Sequence, residues 1–214
     1  SDLASRRERL WLVPVVLVYA GFSAWCYGPA QGVFLACGLL LVATPRLRMP
    51  KWSSAAVFAL AGASLWIYLT HMIVRDGHKV AAKKIVRDDQ AAIVAQLKAW
   101  IADPLIDVVI STGGTGVTGR DVTPEAFHQV YEKEIAGFGE LFRYLSYQKV
   151  GTSTIQSRAT SGVAGGTYLF ALPGSPSACR DGWEDIIRHQ LDNRHRPCNL
   201  VELMPRLQEH RAAE

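Results

Sequence analysis

The sequence predicts an α/β protein: a three-layer sandwich whose mostly parallel sheet carries helices on both faces, preceded by an apolar helical segment. Three observations lead there. From Lys79 onward, short apolar runs alternate with stretches whose apolar residues recur at helical spacing. A glycine-rich stretch, Ser111 to Glu125, joins one such run to a helix start. Between Leu10 and Thr44, by contrast, there is not one charged residue.

The 214 residues have room for one good-sized domain and an appendage. A net charge of +4, with basic residues scattered or flanking apolar runs, excludes a nucleic-acid stripe. Cys26, Cys37, Cys179 and Cys198 are too dispersed for a disulfide framework or a zinc site, and read as free thiols of a reducing compartment. The histidines (His71, His78, His128, His189, His195, His210) show no ligand spacing.

In chain order, a polar and basic stretch through Arg9 precedes Leu10 to Tyr27, long enough to cross a hydrocarbon core of roughly 30 Å at about 1.5 Å per residue. Gly28-Pro29 breaks the run, Gln31 to Thr44 is apolar again, and Arg46, Arg48 and Lys51 follow. Basic flanks on both sides suit a helical hairpin entered from the cytoplasm, with Trp11, Trp25, Tyr27 and Trp52 near its ends. Trp52 to Thr70 is a third apolar run. Residues 1–71 are therefore expected to be a membrane-type segment, with membrane association through residues 10–70, and residues 72–214 a separate domain. A buried helical core is the weaker alternative, because no polar face recurs at helical spacing.

Within that domain, Lys79 to Val86 reads as a strand and Arg87 to Gln90 as a turn with N-cap chemistry. Helix Ala91 to Ala102 presents Ile93, Leu97, Trp100 and Ile101 on one face, and Asp103-Pro104 ends it. Asp107-Val-Val-Ile110 is a short buried strand. Thr123-Pro124-Glu125 then opens a helix to about Glu134, with a cap, a proline at the first helical position and an early acid. A helix follows over about Glu140 to Gln148, and another over Ser153 to Val163. Gly165-Gly166 turns the chain into strand Tyr168 to Leu172. Ser175-Pro176 opens the last helix, Ala178 to Leu191.

Strand-to-helix turns are where uncovered backbone N–H groups meet an anion. The loop Thr112-Gly113-Gly114-Thr115-Gly116 suits a phosphate, with hydroxyls at Thr112, Thr115 and Thr118 as further donors. Asp121 at its far end could hold Mg²⁺ that a phosphate also binds. Asp88 and Asp89 follow a strand end on the same edge, one of them as an N-cap. The Pro173-Gly174-Ser175 turn is either a second ligand loop or a cap and nothing more. Arg158 contacts an anionic substrate or sits in a surface ion pair. Cys179 is a small packing residue rather than a nucleophile.

Thr112-Gly-Gly-Thr-Gly116 followed by Arg120-Asp-Val-Thr-Pro-Glu125 resembles the signature of the molybdopterin-binding MoaB/MogA family. The likeness continues through Gly137-Phe-Gly-Glu140, Gly151-Thr-Ser-Thr154, Gln156-Ser-Arg158, Leu172-Pro-Gly-Ser175 and Arg196-Pro-Cys-Asn199, the last two favouring the MoaB branch. This resemblance implies a role in molybdenum cofactor biosynthesis: molybdopterin and Mg-ATP as substrates, adenylylation of the pterin's terminal phosphate, and release of pyrophosphate. It implies Asp121 and Asp88 as catalytic and Mg²⁺-holding residues, with Thr112, Gly113, Gly114, Thr115, Gly116, Arg158, Pro173, Gly174 and Ser175 binding substrate. It also implies a cytoplasmic homo-oligomer, a trimer or hexamer, with no nucleic-acid partner.

The family begins with a central strand and an Asp-x-Ser-Gly loop that nothing upstream of Ile73 matches. Ser64-Leu-Trp-Ile-Tyr-Leu-Thr-His71 is instead similar to the last membrane helix of acyltransferase-type proteins. Two alternatives to the enzyme are therefore expected: a non-catalytic molybdopterin-binding or assembly subunit, and an inactive chimera of a membrane-protein fragment with a domain lacking its first strand.

Overall fold

A computed structural model of the chain describes residues 68–209. The membrane-type expectation for residues 10–67 lies outside them. Residues 68–71, the end of the Ser64–His71 run, begin helix α1 (68–75), whose Leu69 and Met72 are buried. Among the described residues, no helix is long and apolar enough to cross a membrane.

Four strands form one sheet in the order β1-β4-β3-β2: β1 (Val108–Thr112), β2 (Lys133–Glu134), β3 (Thr160–Ala164) and β4 (Thr167–Leu172). The sheet is mixed rather than mostly parallel. β1 runs parallel to β4, with Thr112 beside Leu172, while β4–β3 and β3–β2 are antiparallel. The antiparallel character comes from β3, most of which lies in the run from Ser153 to Val163, expected to be helical. Gly165 and Gly166 take φ of +59° and +89°, a tight turn that folds β3 back onto β4. The expected helix shrinks to a 3₁₀ turn, Gly151–Gln156.

Lys79 to Val86, expected as a strand, is irregular and mostly exposed. A strand exists only where a neighbouring backbone accepts and donates its hydrogen bonds. None of the described strands pairs with this segment, and β1 is itself an edge.

β4 is buried along its whole length, so its two faces can be read from alternate residues. Leu169 and Ala171 join Leu97, Val109 and Phe127 in one cluster. This cluster is covered by α2 (Gln90–Ile101), which presents Ile93, Trp100 and Ile101 as its spacing predicts, and by α3 (Thr123–His128). Phe170 faces the other way, its ring edge-on to Phe138 at 5.2 Å. Phe138 belongs to α4 (Ala136–Val150), which starts earlier than its sequence signal and buries Phe138, Gly139 and Phe142. On that side lies also α5 (176–190), opened by Ser175 and Pro176 and widened to a π-helix over Gly182–Ile187. Helices on both faces make the three layers.

Candidate functional site

β1 and β4 are adjacent and parallel, so the loops leaving their carboxyl ends are neighbours. Open sheets hold ligands at such places. The first loop is Gly113 to Val122, the second Pro173 to Ser175. The ladder continues one residue past the strands, where Gly113 N–H donates to Leu172 O at 2.9 Å.

Beyond that bond the first loop turns sharply. Gly113 and Gly114 take φ of +98° and +65°, and a Cβ on Gly114 would collide with Thr123 Oγ1. Thr123, buried at the start of α3, donates its hydroxyl to Gly113 O at 2.9 Å and its amide to Gly114 O at 3.0 Å. The loop's carbonyls are thereby drawn toward α3. Among the described residues, no acceptor is bonded to the N–H groups of Gly114 and Thr115. Unsatisfied amides at a turn of this kind form an anion-binding concavity.

Asp121 folds back over the loop. Its Oδ2 accepts from Thr118 N at 2.8 Å and from Thr118 Oγ1 at 2.6 Å. The Thr118 hydroxyl, then its amide and the Gly116 amide, hold the Asp121 carboxyl below the usual range, so it is anionic at neutral pH. The Thr118 hydroxyl, expected as a phosphate donor, is therefore spent on Asp121. Asp88 is exposed and stands 3.9 Å from Arg120, which ties it loosely to this loop. Asp89 is the N-cap of α2, its Oδ1 accepting from Ala92 N at 2.7 Å. Asp121 and Asp88 are hard oxygen donors suited to Mg²⁺ arriving with a nucleotide's phosphates. Among the described residues, no group of three or more His, Cys, Asp or Glu side chains could enclose a metal ion.

Arg158 works from beneath. Nε donates to Gly116 O at 2.7 Å, Nη2 to Asp121 O at 2.7 Å, and the guanidinium pairs with Glu125. Its own amide donates to Thr115 O at 3.0 Å. Of the two alternatives for Arg158, an anionic substrate or an ion pair, the structure shows the ion pair, with Glu125, and adds the bonds to the loop backbone. In the second loop, Ser175 Oγ accepts from Ala178 N at 3.3 Å as a cap. Cys179, fully buried, donates its thiol to Pro173 O at 3.0 Å, and burial pushes that thiol up to about 12. Its packing role stands. Sequence reasoning missed Glu125 and Thr123 as holders of the loop, because both carry ordinary helix-start signals that conceal what they touch.

Two adjoining loops at the ends of parallel strands, one with two amides that no described acceptor takes, make a candidate anion site on an α/β domain. Residues 65–193 match the family model described as a probable molybdopterin binding domain, and the chain belongs to that family. Molybdenum cofactor biosynthesis protein B of Escherichia coli K12 is 52% identical over 133 residues, 62% of this chain and 78% of that protein. The protein of the same name from Staphylococcus carnosus is 48% identical over 110 residues, 51% of this chain and 64% of its own length. A crystal structure of a molybdenum cofactor biosynthesis protein B is similar at 38% identity and a TM-score of 0.59, covering 66% of this chain and 84% of the other. Because the family match starts at residue 65, it takes in most of the Ser64–His71 run, and that run's likeness to a membrane helix is withdrawn.

Proposed function

We propose that this chain binds molybdopterin and adenylylates it with Mg-ATP in molybdenum cofactor biosynthesis. The observation that carries the reading is the pair of amides, Gly114 and Thr115, that no described acceptor takes, on a loop that the second loop adjoins. A phosphate oxygen of the pterin attacks the α-phosphorus of ATP, the bond to the β-phosphate breaks, and pyrophosphate leaves. Phosphoryl-type transfer depends on positioning and charge neutralisation more than on covalent chemistry. Gly113, Gly114, Thr115 and Gly116 cradle a phosphate, with Thr112 at the loop's root and Pro173, Gly174 and Ser175 as the opposite wall. Asp121, through the oxygen that Thr118 leaves free, and Asp88 hold the Mg²⁺ carried in with ATP. Arg158 keeps the loop in shape. The names of the similar proteins from Escherichia coli and Staphylococcus carnosus support the pathway.

A second reading has its own observation. Asp121 already accepts two hydrogen bonds from Thr118 on Oδ2. This favours a subunit that binds the pterin without turnover. Either reading belongs in the cytoplasm, where ATP and the pterin are found. Exposed Tyr144, Tyr147 and Val150 on α4, with Ile155 beyond it, offer a face for a trimer or hexamer.

The test is AMP transfer from Mg-ATP to molybdopterin by the full chain, with Asp121→Asn beside it. Transfer that Asp121→Asn lowers at least 100-fold, with pterin binding kept, supports the enzyme. Binding without transfer supports the carrier. Absence of both overturns the two readings together.

A further inference from the structure

A second cluster of cationic side chains shares no residue with the glycine loops. A cavity of about 700 Å³ opens between the end of α1 and the end of α5, and shares no lining residue with either loop. Arg75, His78, Arg188, His189 and Arg194 line it, together with two carboxylates, Asp76 and Asp192. Each carboxylate is already engaged. Asp192 is gripped on both oxygens by Arg194, Nε to Oδ1 at 2.8 Å and Nη2 to Oδ2 at 2.9 Å. Asp76 accepts from Arg75 Nε at 3.0 Å on one oxygen and from Trp183 Nε1 at 2.9 Å on the other. Among the described residues, neither carboxylate accepts a hydrogen bond from Arg188 Nε.

Arg188 is the residue without an answer. Its Nε is buried, and among the described residues it has no hydrogen-bond partner. Guanidinium N–H groups withdrawn from water need acceptors, and the acceptors that fit their planar fork are paired oxygens of carboxylate or phosphate. An ordinary account places Arg188 and His189 in the last turn of α5, where cations suit the helix dipole. That account answers the charge and leaves the buried donor unpaired. His78 is held beside the cavity by its ring, edge-on to Trp183 at 5.7 Å, and His189 packs on His195 at 5.1 Å. Both rings are thereby positioned by aromatic contacts. Three guanidinium groups and two carboxylates line the wall, so cationic side chains outnumber anionic ones there.

We propose that this cavity binds a small oxyanion-bearing molecule, a phosphorylated or polycarboxylated metabolite, whose paired oxygens are taken by Arg188 with His78 and His189 beside it. The volume lies within the range of small-molecule sites.

The experiment uses the full 214-residue chain. Inorganic phosphate and citrate are titrated in separate arms while the Arg188 Nε–H resonance is followed by ¹⁵N NMR, with calorimetry for affinity. A saturable shift of that resonance is expected, with affinity weakened at least tenfold in Arg188→Gln. A shift with phosphate alone assigns a phosphorylated ligand, and a shift with citrate alone assigns a polycarboxylate. Should Arg188→Gln not fold, Arg188→Lys keeps the charge while losing the fork, and weakening of about threefold or more is expected there. Neither anion moving the Arg188 resonance, or unchanged affinity in whichever variant folds, overturns the proposal. Since the readout is Arg188 itself, the outcome is independent of whether the glycine loops bind pterin.

Discussion

The backbone of Gly174 lies against that of Gly113: a Cβ built on Gly174 would stand 3.2 Å from the Gly113 Cα. The two loops that form the candidate site are thus in backbone contact, and any side chain at 174 forces them apart. Gly174→Ala is expected to cost about 1–3 kcal/mol, the usual range for overpacking a tight contact, and to weaken molybdopterin binding. Thermal unfolding and pterin titration of the variant check both. Wild-type values for stability and binding together would show that the loops part without consequence.

Arg158 offers a sharper test, because one side chain braces two segments of the same loop. Its bonds to Gly116 O and Asp121 O run through separate nitrogens, a geometry that the single ammonium of lysine cannot reproduce. Arg158→Lys is therefore expected to behave nearly as Arg158→Leu, losing about 1–3 kcal/mol of local stability as carbonyls are left without a charged donor. Faster hydrogen exchange at the Gly116, Thr118 and Asp121 amides, with little change in β3 and β4, is the expected pattern. If lysine protects these amides as well as arginine does, the fork is not what holds the loop.

How far these arrangements were legible in the sequence depended on the range of the interaction behind each. Asp107-Val-Val-Ile110 announced β1 by its apolar run, although the strand, at the edge of the described sheet, buries only Val109. Thr123-Pro124-Glu125 announced a helix start by its proline and early acid, although Val122 and not Thr123 is the N-cap. Ser175-Pro176 announced one by a cap that acts within four residues. The face of α2 was readable for the same reason. β3 was not. Its Thr160, Ser161, Gly162, Val163 and Ala164 are all buried, so no alternation marks them, and only the return turn at Gly165-Gly166 makes them a strand. Lys79 to Val86 misled in the opposite direction, having strand composition but no described neighbour to pair with. The π-widening around Trp183 leaves no local mark at all. In the site, the glycines and Asp121 were visible as a motif. That Thr118 binds Asp121 and that Arg158 reaches Gly116, 42 positions away, is tertiary information.

Cys179 and Cys198 predict opposite chemistry from one reagent. Cys179 is fully buried, with its thiol pushed up to about 12 by desolvation, whereas Cys198 is exposed. A thiol raised in the folded state favours folding below the unfolded value of about 8.5, and this contribution is lost as the pH rises from there toward the folded value. At pH 8, iodoacetamide is expected to label Cys198 readily and Cys179 only after denaturation, with site-resolved mass spectrometry as the readout. Rapid native labelling of Cys179 would mean that the Pro173 loop opens and exposes the thiol.

Asp76 ties α1 to α5 across 107 positions, taking the indole N–H of fully buried Trp183 at 2.9 Å. Burial by itself would raise the Asp76 carboxyl, but bonds from Arg75 and Trp183 and the nearby charge of Arg188 outweigh it and leave the group below its ordinary value. With a depressed folded value, the contribution to stability is present above the unfolded value, about 3.9, and disappears as the pH falls through the folded one. Asp76→Leu strands the Trp183 N–H in the core and is expected to cost about 1–3 kcal/mol near neutrality. Asp76→Asn keeps an acceptor and should cost less. Urea unfolding at pH 7 and again at pH 3 separates the two effects. The gap between wild type and Asp76→Asn should narrow at the lower pH, which lies below the unfolded carboxyl's value of about 3.9, while Asp76→Leu stays the weaker at both. A gap that is equal at the two pH values would show that the charge on Asp76 adds nothing to the bond it accepts.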